Sequence, residues 1–218
     1  MVLQDTWNYV VDFRRQLTIN AYLHVSAAVQ CVIIATIIAV AIGVLVYRSP
    51  AASALATALA STILTIPSFA LLGLLIPWLG LGVPPTVAAL VLYALLPIIR
   101  NTILGLSSVD PAVTDAARGI GMSRMAVLTK IELRLAWPSI LAGMRVSTTL
   151  VMGILAIAAY AKGPGLGNLI FSGLQRVGSP TAVPQALSAT VLVVILALIL
   201  DGIYVLIGRL TTSRGIRA

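Results

Sequence analysis

Long apolar runs alternate with short polar breaks along the whole chain. From Ser49 to Ile99 no residue is charged. A helix crossing a bilayer core needs about 20 apolar residues, so that stretch alone can hold two crossings. The pattern predicts spans over 25–47, 55–76, 86–106, 139–160 and 186–207, with Pro67 interrupting the second and Pro97 and Arg100 near the far end of the third. Residues 1–20 place Leu3, Trp7, Val10, Val11 and Leu17 at roughly helical spacing with charges between them. This predicts a short amphipathic helix lying on the membrane, with a disordered tail as the alternative. Residues 161–185 are rich in glycine and proline and too interrupted to span; they predict a loop with a short re-entrant or surface helix. The expected fold is an all-α membrane protein of about five transmembrane helices, with an amphipathic segment over 1–20 and one membrane domain over 21–218.

One polar segment stands apart, residues 110–138, which carries three of the six acidic residues: Asp110, Asp115 and Glu132. Asp110 followed by Pro111 is a helix start, a carboxylate cap and then a residue that needs no amide. Ala116 and Ala117 lie side by side in the short helix that follows. Gly119 and Gly121 break or bend it and let another chain approach closely. A second helix is predicted over 123–134, and Pro138 is expected to open the next apolar run.

Composition narrows the class. The chain is 60% hydrophobic and 9% charged, which excludes an ordinary soluble domain. The net charge of +8 could suggest nucleic acid, but the basic residues cluster at the ends of apolar runs, as orientation signals do. Nine of the fourteen fall on one side: Arg48, Arg100, Arg118, Arg124, Lys130, Arg134, Arg209, Arg214 and Arg217. Four fall on the other: Arg14, Arg15, Lys162 and Arg176. The rule makes the first side cytoplasmic, with the amino terminus outside, the carboxyl terminus inside and the polar segment in the cytoplasm. No cleavable signal peptide is evident, because residues 1–20 hold Asp5, Asp12, Arg14 and Arg15 and lack an apolar core.

Candidate chemistry is sparse. His24, near the start of the first span, reads as an interfacial side chain, and Cys31 as a small lipid- or core-facing residue. No metal site can be assembled from this inventory. A phosphate-binding loop needs Gly-Lys followed by Ser or Thr, but Lys130 and Lys162 are followed by Ile131 and Gly163. Neither a Ser/His/Asp arrangement nor a carboxylate pair in a polar pocket can be built, so no catalytic residue is assigned. Arg145 and Asp201 are the two charges within spans, at matched depths about 10–12 Å below the cytoplasmic surface. An unpaired charge there is costly, which predicts an ion pair between the fourth and fifth spans. A structural pin and a proton relay or substrate counter-ion are both open. Thr65, Pro67 and Ser68, and the glycine-rich Gly163, Gly165, Gly167 and Asn168, are where backbone carbonyls are freed. Such backbone is tolerated at membrane depth only inside protein or against a watery cavity, which makes these residues candidates for lining a pathway. An ordinary proline kink and an exposed loop are the plainer alternative.

The polar segment resembles the cytoplasmic coupling loop of ABC importer permeases. The family pattern is Glu-Ala-Ala, three residues, Gly, nine residues, Ile, one residue, Leu-Pro. Asp115, Ala116, Ala117, Gly121, Ile131 and Leu133 fall on it in register. Aspartate replaces the glutamate, and Arg134 stands where the proline is expected. Further stretches resemble the permease subunits of glycine betaine, carnitine, choline and proline importers: 65–68, 92–102, 119–122 and 163–167. The resemblance implies a type I ABC importer transmembrane domain (MetI-like) in a bacterial cell membrane. It also implies a second permease subunit, identical or paralogous, two separate ABC ATP-binding subunits holding ATP and magnesium, and an extracytoplasmic substrate-binding protein. Asp115, Ala116, Ala117, Arg118, Gly119, Gly121, Met122, Ile131 and Leu133 would form the ATPase interface. A permease of the amino-acid, methionine-type importers is the alternative. A stand-alone secondary transporter would show inverted repeats, and none is visible.

Overall fold

In the computed structural model, residues 2–212 are described, and Arg214 and Arg217 of the expected basic tail lie outside them. The helices run in the order α1 (Val2–Asp12), α2 (Arg14–Val46), α3 (Pro50–Thr65), α4 (Ser68–Leu79), α5 (Val83–Ser107), α6 (Pro111–Gly119) and α7 (Arg124–Val127). A π-helical turn (Leu128–Glu132) leads into α8 (Leu133–Ile157), which ends in a 3-10 turn (Ala158–Ala161). Then come α9 (Gly167–Gln175) and α10 (Ala182–Thr211). Four of these are long and apolar enough to cross a membrane: α2, α5, the continuous stretch Arg124–Ala161, and α10.

The predicted second span differs in kind. It is two helices, α3 and α4, bent by 94° at Ile66–Pro67. Proline disfavours helical geometry in the residue before it, and Ile66 adopts an extended backbone (φ −69°, ψ 127°). Its carbonyl, lost to the helix ladder, accepts from the Tyr93 hydroxyl of α5. The first and fourth spans are longer than predicted. Residues 14–20 belong to α2 rather than to the surface helix, and the chain turns at Phe13. Pro138, expected to start the fourth span, sits inside α8. The π-turn and α8 run straight through it, because Arg134 supplies the amide that a proline there would lack and Pro138 removes only one ladder bond.

The core forms where α2, α5 and α8 pack together. On α2 the residues Ala28, Cys31, Val32, Ala35 and Ala39 are fully buried, at the i, i+3, i+4, i+7 spacing of one helix face. Between lipid-embedded helices attraction comes from close packing, so small residues mark the seams. Gly143 of α8 lies against the backbone of Pro97 and Ile98 on α5, and Gly105 of α5 lies against Ala136 and Ser139 on α8. His24 is fully buried, not interfacial. Because α2 begins at Arg14, position 24 falls well inside the helix, where Nε2 meets the Met152 carbonyl at 3.1 Å.

A Cβ at Gly143 would sit 2.8 Å from the Pro97 carbonyl oxygen, whereas Gly153 has nothing within 4 Å. Gly143→Leu should therefore destabilise the purified protein by at least the ~1–3 kcal/mol typical of overpacking, and Gly153→Leu by much less. Thermal unfolding in detergent distinguishes the two; equal shifts would contradict the close α5–α8 crossing.

Candidate functional site

The loop between α5 and α8 is built from local caps. Asp110 accepts from the Ala112 amide at 2.8 Å, and Pro111 follows at the first helical position. At the other end of α6, Gly121 takes φ +87°, a left-handed value that favours glycine. That turn lets the Ile120 amide reach the Ala116 carbonyl and the Met122 amide reach the Ala117 carbonyl. Ser123 then caps α7 through the Ala126 amide.

Asp115 and Arg118 form an exposed ion pair at 3.1 Å one helical turn apart. Ala116 and Gly119 are exposed and Met122 is half-buried, while Ala117 packs inward. Ile120 is 82% exposed and Met125 67% exposed, so an apolar pair flanks the charged and small residues. A Cβ at Gly119 would meet nothing within 4 Å. Internal packing therefore does not require glycine there. The expected interface residues do not all share this surface: Ile131 is half-buried, and Leu133 packs against the cluster of Leu106, Ala136 and Ile140.

The π-turn turns Glu132 inward, to 5% exposure. Its carboxylate accepts from the Tyr47 hydroxyl at 2.8 Å and pairs with Arg48 at 3.4 Å. This cluster ties the loop's second half to the end of α2. Nothing local in the sequence marks it: more than eighty residues separate the partners, and the loop shows only one acid between an isoleucine and a leucine.

Arg145 and Asp201 do meet. The guanidinium engages the carboxylate twice, Nε to Oδ1 and Nη2 to Oδ2 at 2.6 Å. Two neutral bonds flank the pair between α8 and α10: Thr148 to the Tyr204 hydroxyl at 2.9 Å and Trp137 Nε1 to Thr211 at 2.7 Å. The ion pair is half-exposed and its open side faces away from this chain. Beside it a groove of about 460 Å³ is lined by Thr149, Gly153, Leu198 and Asp201 among others. Ionisable groups at membrane depth face protein or a watery cavity rather than lipid.

The two candidate pathway stretches have separate fates. Thr65 and Pro67 are exposed at the α3–α4 bend and Ser68 is half-buried. The Thr65 hydroxyl returns to the Thr62 carbonyl at 2.7 Å. Gly163, Gly165 and Gly167 are instead buried in close packing, against Thr86, against the His24 side chain and against the Ala156 backbone. Asn168 donates to the carbonyls of Gly163 and Gly165 at 2.9 and 3.1 Å. The carbonyls of Gly163 and Gly165 are thus satisfied internally, and the three glycines are packed within the subunit.

Residues 23–213 match the family described as binding-protein-dependent transport system inner membrane component. The chain belongs to that family. It is 35% identical to the osmoprotectant import permease protein OsmW of Salmonella typhimurium, over 98% of this chain and 100% of the relative. The carnitine transport permease protein OpuCB of Listeria monocytogenes is 34% identical, with 82% of each chain covered. The choline transport system permease protein OpuBB of Bacillus subtilis is 34% identical, over 96% and 97%. In fold it is similar to a chain of the MetNI methionine ABC transporter in an inward-facing conformation, with a TM-score of 0.79, 19% identity, and 93% and 99% of the two chains covered. The protein is thus a multi-pass membrane permease subunit of the ABC importer type with a MetI-like all-α fold.

In this permease, Tyr47→Phe leaves one acceptor of a buried carboxylate unsatisfied and should lower stability by about 1–3 kcal/mol. Glu132→Gln keeps a partner for the hydroxyl and should cost less. The same thermal assay checks the order of the two variants. For the intramembrane pair, Arg145→Ala and Asp201→Ala should each lower assembled yield in the membrane, and the charge-swapped double variant should recover it. Full yield from both single variants would show that the pair is not a structural pin.

Proposed function

We propose that this permease is the membrane subunit of an ATP-driven importer of compatible solutes of the glycine betaine, choline, carnitine or proline class. The observation that carries the reading is 34–35% identity, over most or all of the chain, to proteins named as osmoprotectant, carnitine and choline permeases. The likeness to a methionine transporter lies below 25% identity and bears on fold alone. Two copies, or this chain and a paralogue, would enclose the pathway. Two ATP-binding subunits holding ATP and magnesium would sit beneath, and an extracytoplasmic binding protein would select the solute.

We place the coupling loop in the cytoplasm. The support is the excess of lysine and arginine at that end, where Arg48, Arg118, Arg124, Lys130, Arg134 and Arg209 fall. In the proposed cycle ATP closes the motor dimer and α6 moves with it. Asp115, Ala116 and Gly119 enter a groove on the motor, and the exposed Ile120 and Met125 cover its edge. Force then passes through the α5–α8 packing to the spans, which rock from inward- to outward-facing, and hydrolysis resets them.

Two measurements test the reading. Radiolabelled choline, glycine betaine, carnitine and proline uptake is compared in cells with and without the gene; at least one should depend on it, and dependence of none would reject the solute class. Gly119→Leu is the sharper probe of coupling, because the side chain would meet open space in the isolated subunit. It should leave folding and membrane insertion intact, lower uptake by tenfold or more, and weaken co-purification with the ATP-binding subunits. Unchanged uptake and co-purification would reject the motor contact.

A further inference from the structure

We propose that a groove between α3 and α5, on the α6 side of the membrane, binds the phosphate headgroup of an anionic phospholipid, with Arg100 as its cation. Arg100, Asn101, Leu104 and Ser107 of α5 and Thr57 of α3 line a cavity of about 490 Å³, within the range of small-ligand sites.

Depth comes first. Arg100 lies seven residues before the end of α5 at Ser107, and Thr57 seven residues after the start of α3 at Pro50. Both are therefore about 10 Å below the surface at that end. Neighbouring helices agree in register: Thr102 packs against Gly43, near the end of α2, and Asn101 packs against Gly143 of α8. A bilayer holds about 30 Å of hydrocarbon within about 40–45 Å overall, so this level is just inside the edge of the headgroup layer.

A charge there needs water, protein or an anion. Arg145, slightly deeper by the same register, has Asp201. Arg100 is exposed and makes no ion pair among the described residues. The sequence has no acid between Asp12 and Asp110, so α2, α3, α4 and α5 offer it none. An arginine near a helix end ordinarily reaches water along its flexible stem. The surroundings distinguish Arg100 from that case. Thr57 and Ser107 bring hydroxyls that make no hydrogen bond among the described residues. Asn101 donates one amide hydrogen to the Pro97 carbonyl at 2.8 Å and keeps the other.

The chemistry selects the ligand class. A guanidinium matches phosphate oxygens in a bidentate fork, and the neutral donors around it add bonds without an acid to repel an anion. Leu104 borders the groove and is 64% exposed, which gives an acyl chain an apolar surface to lie on. Basic pockets between membrane helices hold anionic headgroups in this way. A zwitterionic lipid is disfavoured because its own ammonium competes for the phosphate. The site depends on the membrane-spanning fold and is independent of the proposed transport function.

The test is native mass spectrometry of the full-length permease, with the subunits that co-purify, after exposure to phosphatidylglycerol or phosphatidylcholine. Phosphatidylglycerol should be held at least tenfold more tightly than phosphatidylcholine. Arg100→Gln, at an exposed position with no ion pair to lose, should weaken that binding tenfold or more, and Thr57→Val should weaken it several-fold. Arg124→Gln removes the same charge from an exposed position on the loop and should leave it unchanged. Equal retention of the two lipids, or the same loss from Arg100→Gln and Arg124→Gln, overturns the site. Displacement of the lipid by millimolar inorganic phosphate overturns the lipid assignment in favour of soluble phosphate. Release of a second permease chain by Arg100→Gln, with lipid retention unchanged, overturns it in favour of a carboxylate on that chain.

Discussion

The close crossing of α5 and α8 is the constraint on which the other features depend. Gly143 lets α8 touch the α5 backbone, and Gly105 returns the contact about two turns nearer the loop. Without water to drive helices together, that intimacy is what binds them. The polar loop that carries α6 connects these same two helices, so α6 is joined directly to that crossing. Glu132, held by Tyr47 and Arg48, ties the loop's second half to the end of α2.

A second regularity is the fate of polar groups released where helices break. The Ile66 carbonyl at the α3–α4 bend takes the Tyr93 hydroxyl, and the carbonyls of Gly163 and Gly165 take Asn168. Ser147 of α8 donates to the Ala94 carbonyl of α5 at 2.8 Å. In hydrocarbon an unpaired group has no solvent to turn to, so each break comes with its own side-chain partner. His24 Nδ1 is the exception among the described residues, a buried nitrogen without a partner beside Gly165.

The two ends of the subunit are chemically unlike. One presents arginines, exposed small residues and the apolar pair Ile120 and Met125. The other gathers two of the six acids and a stacked aromatic pair around a cavity.

Much of this was legible in the chain before any fold. Apolar run lengths set the number of spans to within the bent pair, because bilayer thickness imposes a length on any helix that crosses it. Asp110-Pro111 and Gly121 marked the ends of α6, since caps and left-handed turns are local chemistry. The Arg145–Asp201 meeting followed from the cost of lone charge at depth. Three things were decided only by tertiary structure: the 94° bend at Pro67, the unbroken passage through Pro138, and the burial of His24 and the 163–167 glycines. A proline permits a kink without dictating its angle, and a glycine allows close approach without naming what approaches. Those outcomes, like the pairing of Glu132 with Tyr47 and Arg48, depend on which surface packing brings alongside, and no local sequence signal contains that.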